Sequence, residues 1–177
     1  MLAPETLQAV LRRLKRGPLV GADAGAAVAY GDDVLDRLLP HRRPMRLVDA
    51  IDRVDVAGAA VRGHRTLAAG DLGFAGHFPD TPVYPGVLTV EAIGQLGLTL
   101  THFARRRTTD VPADLAPAVV RATHIHHAAF LAPFHPGDTM TLHACVVDED
   151  MTLVAAGQAW NGDVLAAYTV AEVYIDE

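Results

Sequence analysis

The stretch Gly76-His77-Phe78-Pro79-Asp80-Thr81-Pro82-Val83-Tyr84-Pro85-Gly86-Val87-Leu88-Thr89-Val90-Glu91-Ala92-Ile93-Gly94-Gln95 changes character at Gly86. Before that point Gly70, Gly73, Gly76, Pro79, Pro82 and Pro85 punctuate residues 70–86, which excludes regular structure and predicts a loop carrying His77. After it, the spacing predicts one long helix from Gly86 to about Arg106. Val87, Leu88, Val90, Ile93, Leu96, Leu98, Leu100 and Phe103 fall on nearly every side of that helix, the pattern of one buried all round. A membrane span is the competing explanation, but Glu91, Gln95 and His102 lie inside the segment, where a carboxylate at bilayer depth is costly.

Working outward, residues 4–16 read as an amphipathic helix with Leu7, Val10, Leu11 and Leu14 on one face, ended by Gly17 and Pro18. Gly21 to Tyr30 is a linker or an edge strand. Asp32 or Asp33 caps a short helix through Leu39, before Pro40. Strands are expected over 45–56 and 59–67, and then over 118–131, 138–147, 152–160 and 163–175. Asn161-Gly162 predicts a type I′ hairpin, and Asp148-Glu149-Asp150 the turn before it. The expected architecture is α+β, a single long helix enclosed by one antiparallel sheet. Residues 1–31 are read as an N-terminal helix and linker, and 32–177 as the domain proper.

Composition narrows the function. A chain of 177 residues fits one domain with a proper core. A net charge of −6 and the lack of a long basic run argue against nucleic acid as the partner. Cys145 is the only cysteine, so no internal disulfide forms, and a reducing, cytoplasmic setting is expected. The first residues carry charges within their apolar pattern, unlike a signal peptide. The sequence contains no serine, which excludes a serine nucleophile, and Lys15 is its only lysine, which disfavours Schiff-base chemistry.

Three motifs carry the chemistry: Gly76-His77-Phe78-Pro79, Pro82-Val83-Tyr84-Pro85-Gly86 and Glu91-Ala92-Ile93-Gly94-Gln95. With Leu39-Pro40-His41-Arg42-Arg43-Pro44-Met45-Arg46-Leu47-Val48-Asp49 and Pro133-Phe134-His135-Pro136-Gly137-Asp138, the chain resembles the beta-hydroxyacyl-ACP dehydratases, the FabZ/FabA hot-dog family, over about residues 32–175. The resemblance implies a dehydratase acting on (3R)-hydroxyacyl groups carried by acyl carrier protein, with no cofactor. It implies a loop histidine, a helix glutamate supplied by the partner subunit and a glycine amide, which fall on His77, Glu91 and Gly86. The residue types suit the reaction. A histidine can take the weakly acidic C2 proton, and a carboxylic acid must protonate the departing hydroxyl. Glu91 can do that when protonated or sharing a proton, a state favoured by dry, apolar surroundings. The Gly86 N–H at the helix start is a fixed donor for charge on the thioester oxygen. Gln95, one turn after Glu91, is expected to orient it; Phe78 and Tyr84 are expected to border the substrate. The dehydratase/isomerase branch carries aspartate where Glu91 stands, so isomerisation is disfavoured.

Other features have plainer expectations. His124, His126 and His127 look like a metal cluster, but no acidic or cysteine neighbour accompanies them in sequence, so sheet-surface or substrate-loop positions are preferred to metal. His41, His64, His102, His135 and His143 read as structural, Cys145 as a small buried side chain and Trp160 as packing. Arg105, Arg106 and Arg107 end the long helix, where cations are favoured. The basic run that the family shows before Pro-Gly-Asp is Ala129-Phe130-Leu131-Ala132 here, so either Arg42, Arg43, Arg46 and the 105–107 cluster take over carrier docking or the carrier differs. The N-terminal helix and the changes at Arg43, Arg46 and Tyr84 point toward polyketide or polyene assembly over housekeeping fatty-acid synthesis. An open sheet edge predicts a homodimer, or a heterodimer with a paralogue. The rival functions are a hot-dog thioesterase and a non-catalytic partner subunit.

Overall fold

A computed structural model describes residues 2–149 and 152–176. Seven antiparallel strands form one sheet: β1 (Ala26–Tyr30), β2 (Ala50–Asp55), β3 (Ala60–Thr66), β4 (Val119–Phe130), β5 (Thr139–Glu149), β6 (Thr152–Asn161) and β7 (Val164–Asp176). Their order across the sheet is β1-β2-β3-β5-β6-β7-β4. The helices are α1 (Pro4–Leu14), α2 (Asp32–Leu38), α3 (Gly86–Leu98) and α4 (Leu100–Phe103), with a 3₁₀ turn at Leu72–Phe74. The sheet wraps α3, which is the hot-dog fold. Residues 26–30 settle the open alternative for that segment: they are an edge strand, paired with β2.

Strand alternation gives the sheet two apolar faces. Leu142 and Ala144 of β5 turn inward to Ala92, Ile93 and Leu96 of α3. Cys145, Val154, Ala156, Tyr168 and Val170 turn outward, where α1 covers them with Leu14 and, less deeply, Leu7, Val10 and Leu11. Fully burying a side chain of that size stabilises by about 1.5–3 kcal/mol, so both layers matter to the fold. Helix and sheet approach closely because β6 has no side chain where they cross. A Cβ on Gly157 would lie 2.2 Å from Ile93 Cγ2 and 2.7 Å from the His143 carbonyl oxygen.

The residues after α1 are fastened to the outer face by two buried polar side chains. Gln158 Nε2 donates to the carbonyls of Leu14 (2.7 Å) and Gly17 (3.0 Å), and its Oε1 accepts from Leu19 N–H. The Val20 N–H donates to His143 Nδ1 at 3.2 Å, which requires that nitrogen to be unprotonated. Burial, and then the Arg62 charge, lower the His143 pKa from 6.5 to about 4, against an opposing pull from Asp52. The native ring therefore stays neutral down to about pH 4, while the unfolded chain binds its proton near 6.5. Between those values the unfolded state holds more protons, so stability falls as pH falls, by on the order of 3 kcal/mol across the window. Urea unfolding at pH 7 and pH 4.5 should show a weaker pH dependence in His143→Gln than in the native chain. Identical slopes would contradict this account of the ring.

Several expectations from sequence need correction. The strand expected over 45–56 begins only at Ala50. Residues 41–49 form a loop, because Arg46 turns inward to Asp32 and Asp36 of α2 and is only 3 % exposed. The long helix does not run to Arg106; it is interrupted at Thr99. There the Thr99 and Thr101 hydroxyls donate to the carbonyls of Leu96 (2.7 Å) and Leu98 (2.6 Å), competing with the regular helical bonds. Arg105, Arg106 and Arg107 thus follow α4, with Arg107 at φ 49°. Nor is α3 buried on every side, since Val87 is 71 % exposed and the Glu91 side chain 41 %. The hairpin turn sits one residue later than expected. Asn161 pairs with Val164 and holds Asp138 through its side chain, leaving Gly162 at φ 55° and Asp163 as the loop. Of the turn expected at Asp148-Glu149-Asp150, Asp150 lies outside the described residues.

Candidate active site

His77 lies in the loop that follows the 3₁₀ turn. That turn is capped by Asp71, whose carboxylate accepts from the Gly73 N–H and pairs with the buried Arg65. The His77 and Val83 backbones close the loop, the Val83 N–H donating to the His77 carbonyl at 2.9 Å. The ring is fixed in turn: His77 Nδ1 lies 2.8 Å from the Val83 carbonyl oxygen, and the ring stacks on Phe78 with centroids 4.3 Å apart. A carbonyl oxygen only accepts, so Nδ1 carries the proton and Nε2 is left with its lone pair.

A cavity of about 480 Å³ adjoins His77, lined also by Tyr84, Gly86, Val87 and, from β4 and the segment after it, Phe130 and Leu131. Gly86 opens α3, and the first helical bonds, from the Leu88 and Thr89 N–H groups, close onto the carbonyl of Pro85. The Gly86 N–H therefore precedes the hydrogen-bonded ladder, at the positive end of the helix. Any side chain there would collide with Phe130, since a Cβ would stand 2.7 Å from that ring. Tyr84 borders the cavity but is buried, edge-on to Phe74 at 5.5 Å; burial raises its phenol pKa, the nearby Arg65 opposing this. Phe78 is exposed.

Glu91 lies elsewhere. It lines a second cavity of about 280 Å³ with His41, Gln95, His124 and Ile125, and that cavity shares Val87 with the first. Gln95 is 1 % exposed and fully engaged: Oε1 accepts from Leu47 N–H (2.7 Å), and Nε2 donates to the Met45 carbonyl and to Glu91 Oε1, both at 2.8 Å. One side chain thus joins the 41–49 loop to the carboxylate. His41, read from sequence as structural, has its Nε2 3.5 Å from Glu91 Oε1. Its proximity had no signal in the sequence, because the contact spans fifty residues and depends on where the loop folds back.

The arginines sort differently from expectation. Buried Arg46 has no surface to offer a carrier. Arg42 donates to the carbonyls of Leu39 (2.7 Å), His41 (2.9 Å) and Asp36 (3.0 Å), and Arg43 to Asp49 at 2.6 Å and to the Arg46 carbonyl at 3.1 Å. These three hold the loop together. Arg105, Arg106 and Arg107 are exposed. Of the histidine triplet, His124 and His126 stack at 5.6 Å while His127 stacks on Tyr168. The acidic partner missing from the local sequence comes from the neighbouring strand: Glu172 of β7 meets His126 Nε2 at 2.9 Å. That hydrogen bond is the main reason the Glu172 carboxyl lies below the usual range, against the opposing effect of burial.

Comparison with known proteins matches a FabA-like domain to residues 39–170. The 3-hydroxyacyl-[acyl-carrier-protein] dehydratase FabZ of Campylobacter lari is 33% identical over 145 residues, spanning 81% of this chain and 96% of the relative. The protein of the same name from Nitratidesulfovibrio vulgaris is 35% identical over 134 residues, spanning 75% and 82%. Among solved structures, the dehydratase heterocomplex ApeI:P from Xenorhabdus doucetiae aligns with TM-score 0.61 at 16% identity, over 81% of this chain and 91% of that one. The PaaI protein of E. coli, from the phenylacetic acid degradation operon, aligns with TM-score 0.52 at 20% identity, over 70% and 80%. At such identities the two structures speak to fold alone. The FabA-like match, by contrast, takes in well over half of the 177 residues and every motif around His77 and Glu91, and the chain belongs to the FabA-like family.

Proposed function

We propose that the protein is a 3-hydroxyacyl-[acyl-carrier-protein] dehydratase, with His77 as base and Glu91 as acid. The observation that carries this is the His77–Val83 hydrogen bond, which sets the neutral ring's tautomer so that Nε2 presents its lone pair on the cavity wall. In the reaction His77 Nε2 takes the C2 proton, the C2–C3 double bond forms as the C3–O bond breaks, and Glu91 gives its proton to the departing hydroxyl, which leaves as water. The Gly86 N–H supports negative charge on the thioester oxygen. These steps need no cofactor. Mass spectrometry of a 3-hydroxyacyl-carrier panel after incubation with the pure protein tests the reading. Loss of one water is expected; release of free acid would instead make the protein a thioesterase.

The separation of the two groups supports a site shared between chains. His77 and Glu91 line different cavities, and the surface connecting them is apolar and open: Val87 on α3, Ile125 and Phe130 on β4, and Leu131 just beyond it. β4 is one of the two edge strands, with β1 at the other side of the sheet, and no strand among the described residues pairs with its outer edge. A second copy paired along that edge covers the patch and brings His77 of one chain toward Glu91 of the other. The same arrangement accommodates a paralogue in place of the second copy. For the carrier protein, docking falls to Arg105, Arg106 and Arg107, which are exposed, whereas Arg42 and Arg43 brace the 41–49 loop. No helix among the described residues is long and apolar enough to cross a membrane.

A further inference from the structure

We propose that His41 is a positioning residue for Glu91, pinning carboxylate oxygen Oε1 so that the acidic proton resides on Oε2. This rests on the reading of Glu91 as the acid. Two groups approach the carboxylate, and both meet the same oxygen: Gln95 Nε2 donates to Oε1 at 2.8 Å, and His41 Nε2 stands 3.5 Å from it. Gln95 cannot reverse its amide, because its own oxygen is held by the Leu47 N–H at 2.7 Å. The tautomer of His41 is set by a similar argument. Its Nδ1 is buried with no partner among the described residues, so a proton placed there would be an unsatisfied buried donor, whereas Nε2 has a carboxylate within reach. The ring proton therefore belongs on Nε2, facing Oε1. An oxygen that accepts the Gln95 N–H and faces the His41 Nε2 at 3.5 Å is a poor place for a further proton, which leaves Oε2 to carry it. Left unpinned, the carboxyl can rotate and offer the substrate its unprotonated oxygen.

The His41 backbone is well placed to hold this geometry. Arg42 donates to the carbonyls on either side of Pro40, those of Leu39 and His41, and Arg46 anchors the loop to α2 through Asp32 and Asp36. His124 also borders the cavity, from β4, but no contact joins it to the carboxylate among the described residues.

The test compares His41→Leu, which keeps bulk and removes the donor, with His41→Gln, which restores an N–H at similar reach, and with Glu91→Gln as reference. Steady-state dehydration of a 3-hydroxyacyl thioester should show kcat about 10- to 100-fold lower in His41→Leu, the range for one hydrogen bond to a charged group. KM should change by no more than about twofold, and His41→Gln should recover most of kcat, since oriented chemistry and not binding is at stake. Long-range proton–nitrogen NMR of the native protein should report the Nε2–H tautomer for His41. An unchanged kcat in His41→Leu beside an inactive Glu91→Gln overturns the inference and leaves the acid assignment standing. Equal losses in the Leu and Gln variants, or an Nδ1–H tautomer, also overturn it. A fully active Glu91→Gln overturns the inference and the acid assignment together.

Discussion

His77→Ala and Glu91→Gln each lower dehydration turnover by about 10²–10⁴-fold, the usual contribution of one general acid or base, while the fold remains intact. The expectation follows from where the two side chains sit. His77 occupies a loop whose shape is kept by backbone bonds, among them those between His77 and Val83, and alanine preserves those. Glu91 has one face open, and glutamine retains an oxygen to accept from Gln95. Neither substitution leaves a buried charge or a large void, so thermal unfolding should shift little compared with the loss of rate. The effect belongs in kcat as well as in kcat/KM, because the proposed base and acid would act on bonds that change only in the transition state. Turnover within a few-fold of the native protein, in either variant, would remove that residue from the mechanism.

How much of this was legible beforehand depends on whether the information was local. The loop at 70–86 and the helix beginning at Gly86 announce themselves through glycine and proline and stand where expected, apart from the 3₁₀ turn at Leu72–Phe74, while the β6–β7 hairpin keeps its strands but turns one residue late. Pairing Gln95 with Glu91 needed only helical spacing. What escaped the sequence depends on distant partners. Arg46 looks like a surface cation until Asp32 and Asp36 are folded against it. His126 lacked an acidic neighbour until β7 delivered Glu172 alongside β4. The break at Thr99 was hidden because a threonine hydroxyl competes for a carbonyl without changing hydropathy. The apolar periphery of α3 was read as burial within one chain. Val87 and Glu91 show that one side of the helix is open in a single copy, and this exposure is what directs attention to a second.

That second copy is the centre of the account, and mixing two inactive variants addresses it most directly. His77→Ala and Glu91→Ala homodimers should each be nearly inactive, because every site in them lacks one of the two groups. A heterodimer of the two variants, formed by reversible dissociation or by co-expression with different tags, contains one site with both groups intact and one with neither. Isolated through both tags, it should regain about half the native turnover per dimer, since an intact site works independently of its damaged twin. Purified heterodimers as inactive as their parents would contradict the shared site, and would require His77 and Glu91 to act within a single chain or one of them to have no part in the chemistry.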